Sequence, residues 1–286
     1  MDRLSVKRTS VFLAISGVLA LAAQPGFAGS LIYDSIQNPP PPNVSSLGYQ
    51  ATQTAEFGEL IQFEPGTSRN LWAVTVLMSD WALASTYGST DPGWYHPLTL
   101  NLYNIDNTSG NPQPGSLIAS VTQTFFIPWR PPASTGCGTA WRAADGNCYN
   151  GLAFEVSFLL NDVVVPDQLI YGIAYNTNTW GYNPIGQPGP YESLNFGLST
   201  PPPSTGSNPL PGTAYWNTRT AGWYSDKGAG GVGTFRQDTG WASYIGAVEF
   251  ESVPEPASIG LILIGLAGLI SRVRRAKSRP APKPES

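Results

Sequence analysis

Apolar residues recur at every second position in several short segments of the chain. Residues 152–160 and 98–102 alternate leucine, phenylalanine or valine with mostly small or polar residues. Successive side chains of a strand point to opposite faces, so this period predicts strands with one buried face. Residues 71–78 (LWAVTVLM) are apolar on nearly both faces, which predicts a strand between two packed layers. Further predicted strands cover residues 55–63, 117–127, 168–176, 193–198 and 243–250.

Proline and glycine separate these segments. Proline fixes φ and glycine permits positive φ, so residues 64–66, 91–93, 111–115, 187–190 and 201–211 are predicted turns or loops. Eight or more short strands without long helices predict an all-β fold: a single, jelly-roll-like β-sandwich ectodomain over residues 49–252. Residues 29–48, with the run NPPPPN, are predicted to form a proline-rich spacer in polyproline II conformation.

The N-terminus has the features of a secretory signal peptide. Residues 1–10 are polar and basic, and residues 11–23 form an apolar run too short for an ordinary membrane span. Gly26 and Ala28 place small residues where signal peptidase requires them, so we expect residues 1–28 to be removed by cleavage after Ala28. An uncleaved membrane anchor is the alternative.

The C-terminus combines three features. Pro254, Glu255 and Pro256 precede an apolar segment over residues 257–271, and a basic tail over residues 272–286 follows. The prolines prevent a helix before Ala257, so the helix would be roughly 22 Å long, against about 30 Å for a hydrocarbon core. Such a short transmembrane helix requires a locally thinned inner membrane. The basic tail is expected in the cytoplasm and the body outside.

This C-terminus resembles the PEP-CTERM sorting signal of Gram-negative bacteria, over residues 253–286. The resemblance implies that exosortase, a membrane-embedded cysteine protease-transferase, recognises Pro254, Glu255 and Pro256 and cleaves nearby. It also implies a host that makes exopolysaccharide and biofilm. The body is similar to uncharacterised ectodomains found before this signal, which have no assigned activity. A tail-anchored span after a chance Pro-Glu-Pro is the alternative.

Charge changes the list of expected partners. Of 15 basic residues, three precede the first apolar run and six follow the last, and of 19 acidic residues only Asp2, Glu255 and Glu285 lie outside the body, which leaves 6 basic and 16 acidic residues in it. The body therefore carries about −10 and lacks the basic patch that nucleic acid or anionic lipid requires. Its 9 Trp, 13 Tyr and 11 Phe exclude a disordered chain, since these rings supply the apolar area for a core.

Two cysteines, Cys137 and Cys148, are predicted to form a disulfide in an oxidising compartment, stabilising the fold by roughly 2–3 kcal/mol. The alternative, a thiol nucleophile, needs a base, and the single histidine is His96, interpreted as a surface or turn residue. No G-x-S-x-G motif or zinc ligand set is present. We therefore assign no catalytic residue and no cofactor, and expect a non-enzymatic protein.

Two other kinds of chemistry stay open. Glu155 lies in an otherwise apolar segment and is interpreted as facing outward. A carboxylate-dependent glycoside hydrolase would need to pair it with a second carboxylate such as Glu56, Glu59 or Glu249. Calcium is possible, with Asp145 and Asn147 as weak candidate ligands, although such residues are usually turn formers.

Aromatic residues next to glycine, proline, asparagine or threonine suggest a ligand-binding surface. Exposed rings stack on sugars, while amides and carboxylates bind hydroxyls. We therefore expect an exported, surface-associated or released matrix protein that contacts polysaccharide, reached through an inner-membrane-tethered intermediate with its body in the periplasm. The alternatives are a secreted hydrolase, a structural or adhesive protein-binding component, and rings that only cover the core. The candidate rings are Trp94, Tyr95, Trp141, Trp180, Tyr182, Trp216 and Trp223.

Overall fold

The structure, a computed structural model, describes residues 29–52, 54–175, 177, 186–218, 235–240 and 243–253. Strands account for 55% of it and helices for 6%, so the predicted all-β class is confirmed. Two large antiparallel sheets pack in a sandwich-like arrangement, and a two-stranded hairpin lies beside them. The jelly-roll detail of the prediction stays a prediction.

The predicted strands all have counterparts within the described residues. One helical turn and two 3-10 turns, α1 (Tyr49–Thr52), η1 (Ala84–Tyr87) and η2 (Pro190–Ser193), join them. The strands are β1 (Ser30–Asp34), β2 (Ser46–Gly48), β3 (Thr54–Gln62), β4 (Asn70–Asp80), β5 (Gly93–Asp106), β6 (Gln113–Pro128), β7 (Trp141–Arg142), β8 (Cys148–Tyr149), β9 (Leu152–Val164), β10 (Gln168–Tyr175), β11 (Leu194–Ser199), β12 (Thr213–Thr218), β13 (Phe235–Thr239), β14 (Ile245–Gly246) and β15 (Val248–Ser252).

The first large sheet is organised around β4. Strand β9 pairs with β4 from Asn70 to Asp80, while the other side of β4 pairs with β15 and then with β11. Strand β1 pairs with the far side of β15, and β2 and β14 pair with β11. Because β4 has partners on both sides, its residues are largely buried, as the apolar pattern of residues 71–78 predicts.

The second large sheet has the order β13-β12-β3-β10-β5-β6. Its inward side chains meet those of the first sheet in one hydrophobic core. Phe250 of β15 is fully buried there, with its ring centroid 5.4 Å from that of Phe63 and 5.8 Å from that of Tyr171. The core therefore depends on aromatic packing between the two sheets.

The predicted N-terminal spacer is part of the sandwich. Residues 29–48 include β1 and β2, and the connection between them lies against the first sheet. Three backbone hydrogen bonds hold this connection: Ser35 N–H to Val248 O, Ala153 N–H to Pro42 O, and Leu198 N–H to Ser45 O. The spacer prediction is wrong because the short apolar pair Ile32 and Tyr33, both fully buried, attaches the segment to the core.

The two ends of the described body lie side by side. Strand β1 pairs antiparallel with β15, with Ser30 opposite Ser252. The predicted signal peptide and cleavage site at Ala28, like the predicted C-terminal span, lie outside the described residues. Within the described part of the chain, no helix is long and apolar enough to cross a membrane.

We predict that Phe250→Ala lowers the free energy of unfolding by about 3–5 kcal/mol, since it leaves a cavity among Tyr33, Phe63 and Tyr171. Denaturant unfolding measures this loss. Leu159→Ala is the control: Leu159 lies in β9 of the same sheet but is 58% exposed, so its loss is expected to be below about 1 kcal/mol. Equal losses for the two variants would contradict the assignment of the core.

Candidate functional site

The predicted disulfide is confirmed and organises one edge of the molecule. Cys137 and Cys148 are bonded, with their Cα atoms 5.6 Å apart. Cys148 belongs to the hairpin of β7 and β8, where Trp141 pairs with Tyr149. The Trp141 indole N–H donates to Gly151 O at 2.8 Å, which fixes the hairpin to the start of β9. The disulfide and this bond together position Tyr149 at the surface.

Tyr149 lines an open groove with a volume of about 760 Å³. Trp81, which follows β4 directly, supplies the second aromatic side chain and is 43% exposed. Neutral polar residues, a few small or apolar residues and one carboxylate complete the lining. The remaining lining residues are Asn43, Val44, Ser45, Ser46, Gly48, Ala51, Glu192 and Asn195.

The floor of the groove is built on three adjacent strands. Asn195 of β11 lies opposite Ser79 of β4 on one side and Gly48 of β2 on the other. Its amide nitrogen donates to Ser46 Oγ at 3.2 Å. Backbone pairing therefore fixes the polar floor, so a ligand would meet groups that are already ordered.

The Trp81 ring is held by a short chain of hydrogen bonds. Its indole N–H donates to Ser79 Oγ at 3.0 Å, and Ser79 Oγ donates to Asn43 Oδ1 at 2.7 Å. A Cβ atom at Gly151 would come within 2.7 Å of all three groups, so a side chain there would displace them. The Trp81 backbone N–H also donates to Ser193 O at 3.0 Å, which joins the ring to the η2 turn that carries Glu192.

The candidate calcium ligands form a turn beside Tyr149. Asp145 Oδ2 accepts hydrogen bonds from the Tyr149 hydroxyl at 2.5 Å and from the Asn147 amide at 3.1 Å, and Oδ1 accepts from Asn147 N–H at 2.9 Å. These bonds, that from Tyr149 first, lower the pKa of Asp145. Among the described residues no group of three or more His, Cys, Asp or Glu could hold a metal. Calcium binding here stays a prediction.

Among the predicted aromatic residues, the structure separates buried from accessible rings. Tyr95 is 72% exposed, Trp94 is half-buried, and Trp141 is nearly buried. The expectation that Trp216 is an exposed ligand-binding ring is wrong: this residue lies in β12 with its ring fully buried in the core, so it presents no face to a ligand. Trp180, Tyr182 and Trp223 lie outside the described residues.

Sequence reasoning missed Trp81 as a site residue. It directly follows a run that the apolar pattern assigns to the core, and its exposure depends on where β4 ends. The available sequence signal for the end of the buried strand was the polar pair Ser79 and Asp80, which interrupts the apolar run just before Trp81. Nothing in the sequence places Tyr149 beside it, since the two residues belong to different strands.

A buried aromatic cluster lies at the β5 end of the sandwich. The interpretation of His96 as a surface or turn residue is wrong, because it is 3% exposed and its ring stacks on Tyr191, with centroids 5.4 Å apart. Trp94 packs against both rings. Nearby Asp80 is also buried, and burial raises its pKa to about 7 against the opposing effect of its hydrogen bonds.

The candidate carboxylates fall into two separate places. Glu155 is exposed, as alternation predicts, and lines a groove of about 550 Å³ together with Glu249 and Asp34. Partial burial, a hydrogen bond with Glu251 and neighbouring negative charges raise the pKa of Glu249 to about 7. Glu56 and Glu59 are buried in β3 of the other sheet. The structure therefore brings Glu249, rather than these two, to Glu155.

Glu59 is buried among groups that do not neutralise it. Its carboxylate accepts hydrogen bonds from Gly246 N–H at 2.7 Å and from the Asn208 amide at 2.8 Å. Desolvation outweighs both bonds and raises its pKa to about 8. The folded protein therefore holds this proton at pH values where an unfolded chain releases it.

We predict that the free energy of unfolding falls as pH rises from about 4.5 to about 8, because Glu59 must then lose its proton inside the fold. Asp80 and Glu249, whose pKa values are also raised, act in the same direction. Glu59→Gln removes one of the three contributions, so denaturant unfolding at several pH values should give a shallower slope. Asp91→Asn at an exposed position is the control. An unchanged slope in Glu59→Gln would contradict the assignment.

Comparison with known proteins identifies one segment of the chain. Residues 252–275 match the model of the PEP-CTERM protein-sorting motif. No curated protein and no solved structure matches the chain. The match begins at the last residue of β15, while Pro254, Glu255 and Pro256 lie outside the described residues. The chain therefore carries a PEP-CTERM sorting motif after a β-rich region, and this motif indicates an exported protein processed by exosortase.

Proposed function

We propose that the exported body is a non-enzymatic matrix protein that binds polysaccharide through the groove between Trp81 and Tyr149. The groove supports this proposal because it combines two aromatic side chains with fixed amide and hydroxyl groups. Rings stack on the C–H faces of sugars, and amides bind sugar hydroxyls. Its volume of about 760 Å³ lies in the usual range for small-molecule sites and is sufficient for a short stretch of glycan.

The preorganisation of the groove supports the same proposal. The Trp81 indole, Asn43 and Asn195 are fixed by hydrogen bonds, and Tyr149 follows a disulfide-bonded cysteine. Ordered groups lose little conformational entropy when a ligand binds, so weak individual contacts can add up to a useful affinity.

The sorting motif supports an extracellular place of action. The body folds up to Ser252, and the matched motif begins at this residue. We propose that the protein passes through an inner-membrane-tethered stage with its body in the periplasm, loses its signal peptide after Ala28 to signal peptidase, and then reaches the cell surface or the medium. Matrix polysaccharide would be available to the groove there.

A carboxylate-dependent glycoside hydrolase is the second candidate. One observation favours it: Glu155 and Glu249 line the same groove, and the raised pKa of Glu249, about 7, suits a general acid. Among the described residues, the second groove is lined by Phe154 but by no tryptophan or tyrosine, whereas the first groove is lined by Trp81 and Tyr149. A structural or adhesive protein-binding role is a further alternative, and no residue of either groove favours it.

We predict that Trp81→Ala and Tyr149→Ala each weaken glycan binding by about tenfold or more, because each removes a stacking ring. The measurement is isothermal titration of the host's own polysaccharide fragments into protein purified from an exosortase-containing host. Trp72→Ala is the matched control: Trp72 is 42% exposed and lies at the opposite end of β4, so we expect unchanged affinity.

The same glycan fragments separate the alternatives. If the wild-type protein releases new reducing ends from them and the Glu249→Gln variant does not, the result would favour the hydrolase. Absence of binding to every glycan tested would overturn the polysaccharide proposal and leave the protein-binding role. Equal loss in Trp72→Ala and Trp81→Ala would show that the groove is not the site.

We predict that Glu255→Ala in the native host leaves the protein at the inner membrane, because the central residue of the Pro-Glu-Pro motif is lost. Fractionation and immunoblotting of membranes and culture medium measure this retention. Glu285→Ala in the basic tail is the control and should be processed normally. Normal release of the Glu255→Ala variant would contradict exosortase recognition of the motif.

A further inference from the structure

A tryptophan is turned outward at the end of the first sheet where the chain leaves the body. The pairing of β4 with β15 shifts register between Leu71 and Ala73, so Trp72 is the extra residue of a β-bulge. Leu71 and Val74, on either side of this bulge, belong to the hydrophobic core, whereas Trp72 is 42% exposed. The bulge therefore presents a large apolar ring to the surroundings of the body instead of to its core.

Other apolar side chains are exposed at the same end of the sheet. Leu31 of β1 and Leu159 of β9 lie in one cross-strand row with Ala73, so the two leucines share one face of the sheet. Their exposed fractions are 38% and 58%. Val164, which is 68% exposed, lies opposite Asn70, the first residue of β4. We call this region the end surface, and it consists of Leu31, Trp72, Leu159 and Val164.

The chain leaves the fold beside the end surface. The Val253 N–H donates to Asn70 O at 2.8 Å, two residues before Trp72. The Pro-Glu-Pro motif then separates Val253 from the apolar segment that begins at residue 257. At about 3.6 Å per residue, the four steps from Val253 to residue 257 span at most roughly 14 Å. In the membrane-anchored sorting intermediate that the motif implies, the end surface is therefore on a short tether to the bilayer.

We propose that the end surface rests on the lipid headgroup region of the inner membrane, on its periplasmic side, while the protein is anchored there. The inference rests on the anchored intermediate and does not require glycan binding. Tryptophan is favoured at a membrane–water interface because its ring is apolar and its N–H is polar. A short tether raises the effective concentration of the end surface at the bilayer, so weak apolar contacts are sufficient to seat it.

Charge indicates which lipid headgroups fit the end surface. Glu251 lies opposite Leu31 in the strand pairing, and Asp162, two residues before Val164, is exposed. The nearby cation Arg69 forms an ion pair with Asp167 at 2.8 Å. Anionic lipids would repel the two carboxylates, whereas zwitterionic headgroups carry no net charge. The end surface therefore fits a zwitterionic bilayer better than an anionic one.

The proposed seating also orients the groove between Trp81 and Tyr149. Trp81 directly follows β4, whereas Trp72 is near its beginning. Nine residues separate the two rings, or roughly 30 Å at about 3.3 Å per residue of strand. A body that rests on the end surface therefore holds the groove on the side away from the bilayer.

The test measures quenching of tryptophan fluorescence by phosphatidylcholine with brominated acyl chains. The full chain, produced without exosortase, is reconstituted into vesicles of this lipid, and flotation measures whether it is anchored. Bromine quenches indoles that lie at the bilayer, so Trp72→Phe should remove about half or more of the quenching. Trp81→Phe is the matched control: Trp81 is 43% exposed at the other end of β4, so we expect unchanged quenching.

A second lipid composition tests the role of charge. Replacement of about a third of the lipid by phosphatidylglycerol should reduce the quenching that depends on Trp72 at low salt, and added salt should restore it. Equal or stronger quenching with the anionic lipid would contradict the preference for zwitterionic headgroups.

The remaining outcomes decide between lipid, exosortase and no contact. Equal quenching in the wild type and Trp72→Phe, or equal losses in Trp72→Phe and Trp81→Phe, overturns the lipid contact of the end surface. If such a result is joined by slower release of Trp72→Phe in the native host, the end surface belongs to the contact with exosortase instead. A full chain that does not float with the vesicles contradicts the anchored intermediate itself. None of these results alters the test of glycan binding.

Discussion

The insertion of β15 between β1 and β4 is the pairing on which the first sheet depends. Strand β15 exchanges backbone hydrogen bonds with both neighbours and places Phe250 in the centre of the core. It is also the last strand before the matched sorting motif. The sheet is therefore complete only when residues at both ends of the body are present, and few residues separate the fold from the processing signal.

The groove is a consequence of that sheet. Strand β4 ends at Asp80, opposite the first residues of its antiparallel partners β9 and β11, and Trp81 leaves the sheet at this edge. The β2 pairing with β11 adds Gly48 and the neighbouring loop as the opposite wall. The disulfide hairpin then closes the remaining side with Tyr149. Four separate parts of the chain, which contribute residues 43–51, Trp81, Tyr149, and Glu192 with Asn195, thus meet at one surface.

Burial explains both the stability and the chemistry of the molecule. Tyr33, Phe63, Tyr171 and Phe250 form an aromatic core between the sheets, whereas burial raises the pKa of Glu59 so that it holds its proton. Glu249 experiences partial burial and neighbouring charges, which give it a raised pKa at an accessible position. Equivalent residue types in the sequence therefore have very different properties in the fold.

The sequence alone determined the features that depend on local pattern. Alternation of apolar residues predicted the strands, because a strand exposes alternate faces whatever its partners are. The spacing and compartment of Cys137 and Cys148 predicted their bond, and the Pro-Glu-Pro segment with its flanks predicted the sorting motif. These predictions need only neighbouring residues or a single pair.

Tertiary structure decided everything that depends on which strands meet. Residues 29–48 belong to the sandwich because β15 offers β1 a free edge, which no local pattern of proline and glycine reveals. Trp216 became core and Trp81 became surface because strand pairing, rather than neighbouring turn formers, fixes the environment of a ring. Glu155 met Glu249 instead of Glu56 or Glu59 because they share one sheet. Burial is a property of the assembled layers, so sequence pattern alone cannot assign it.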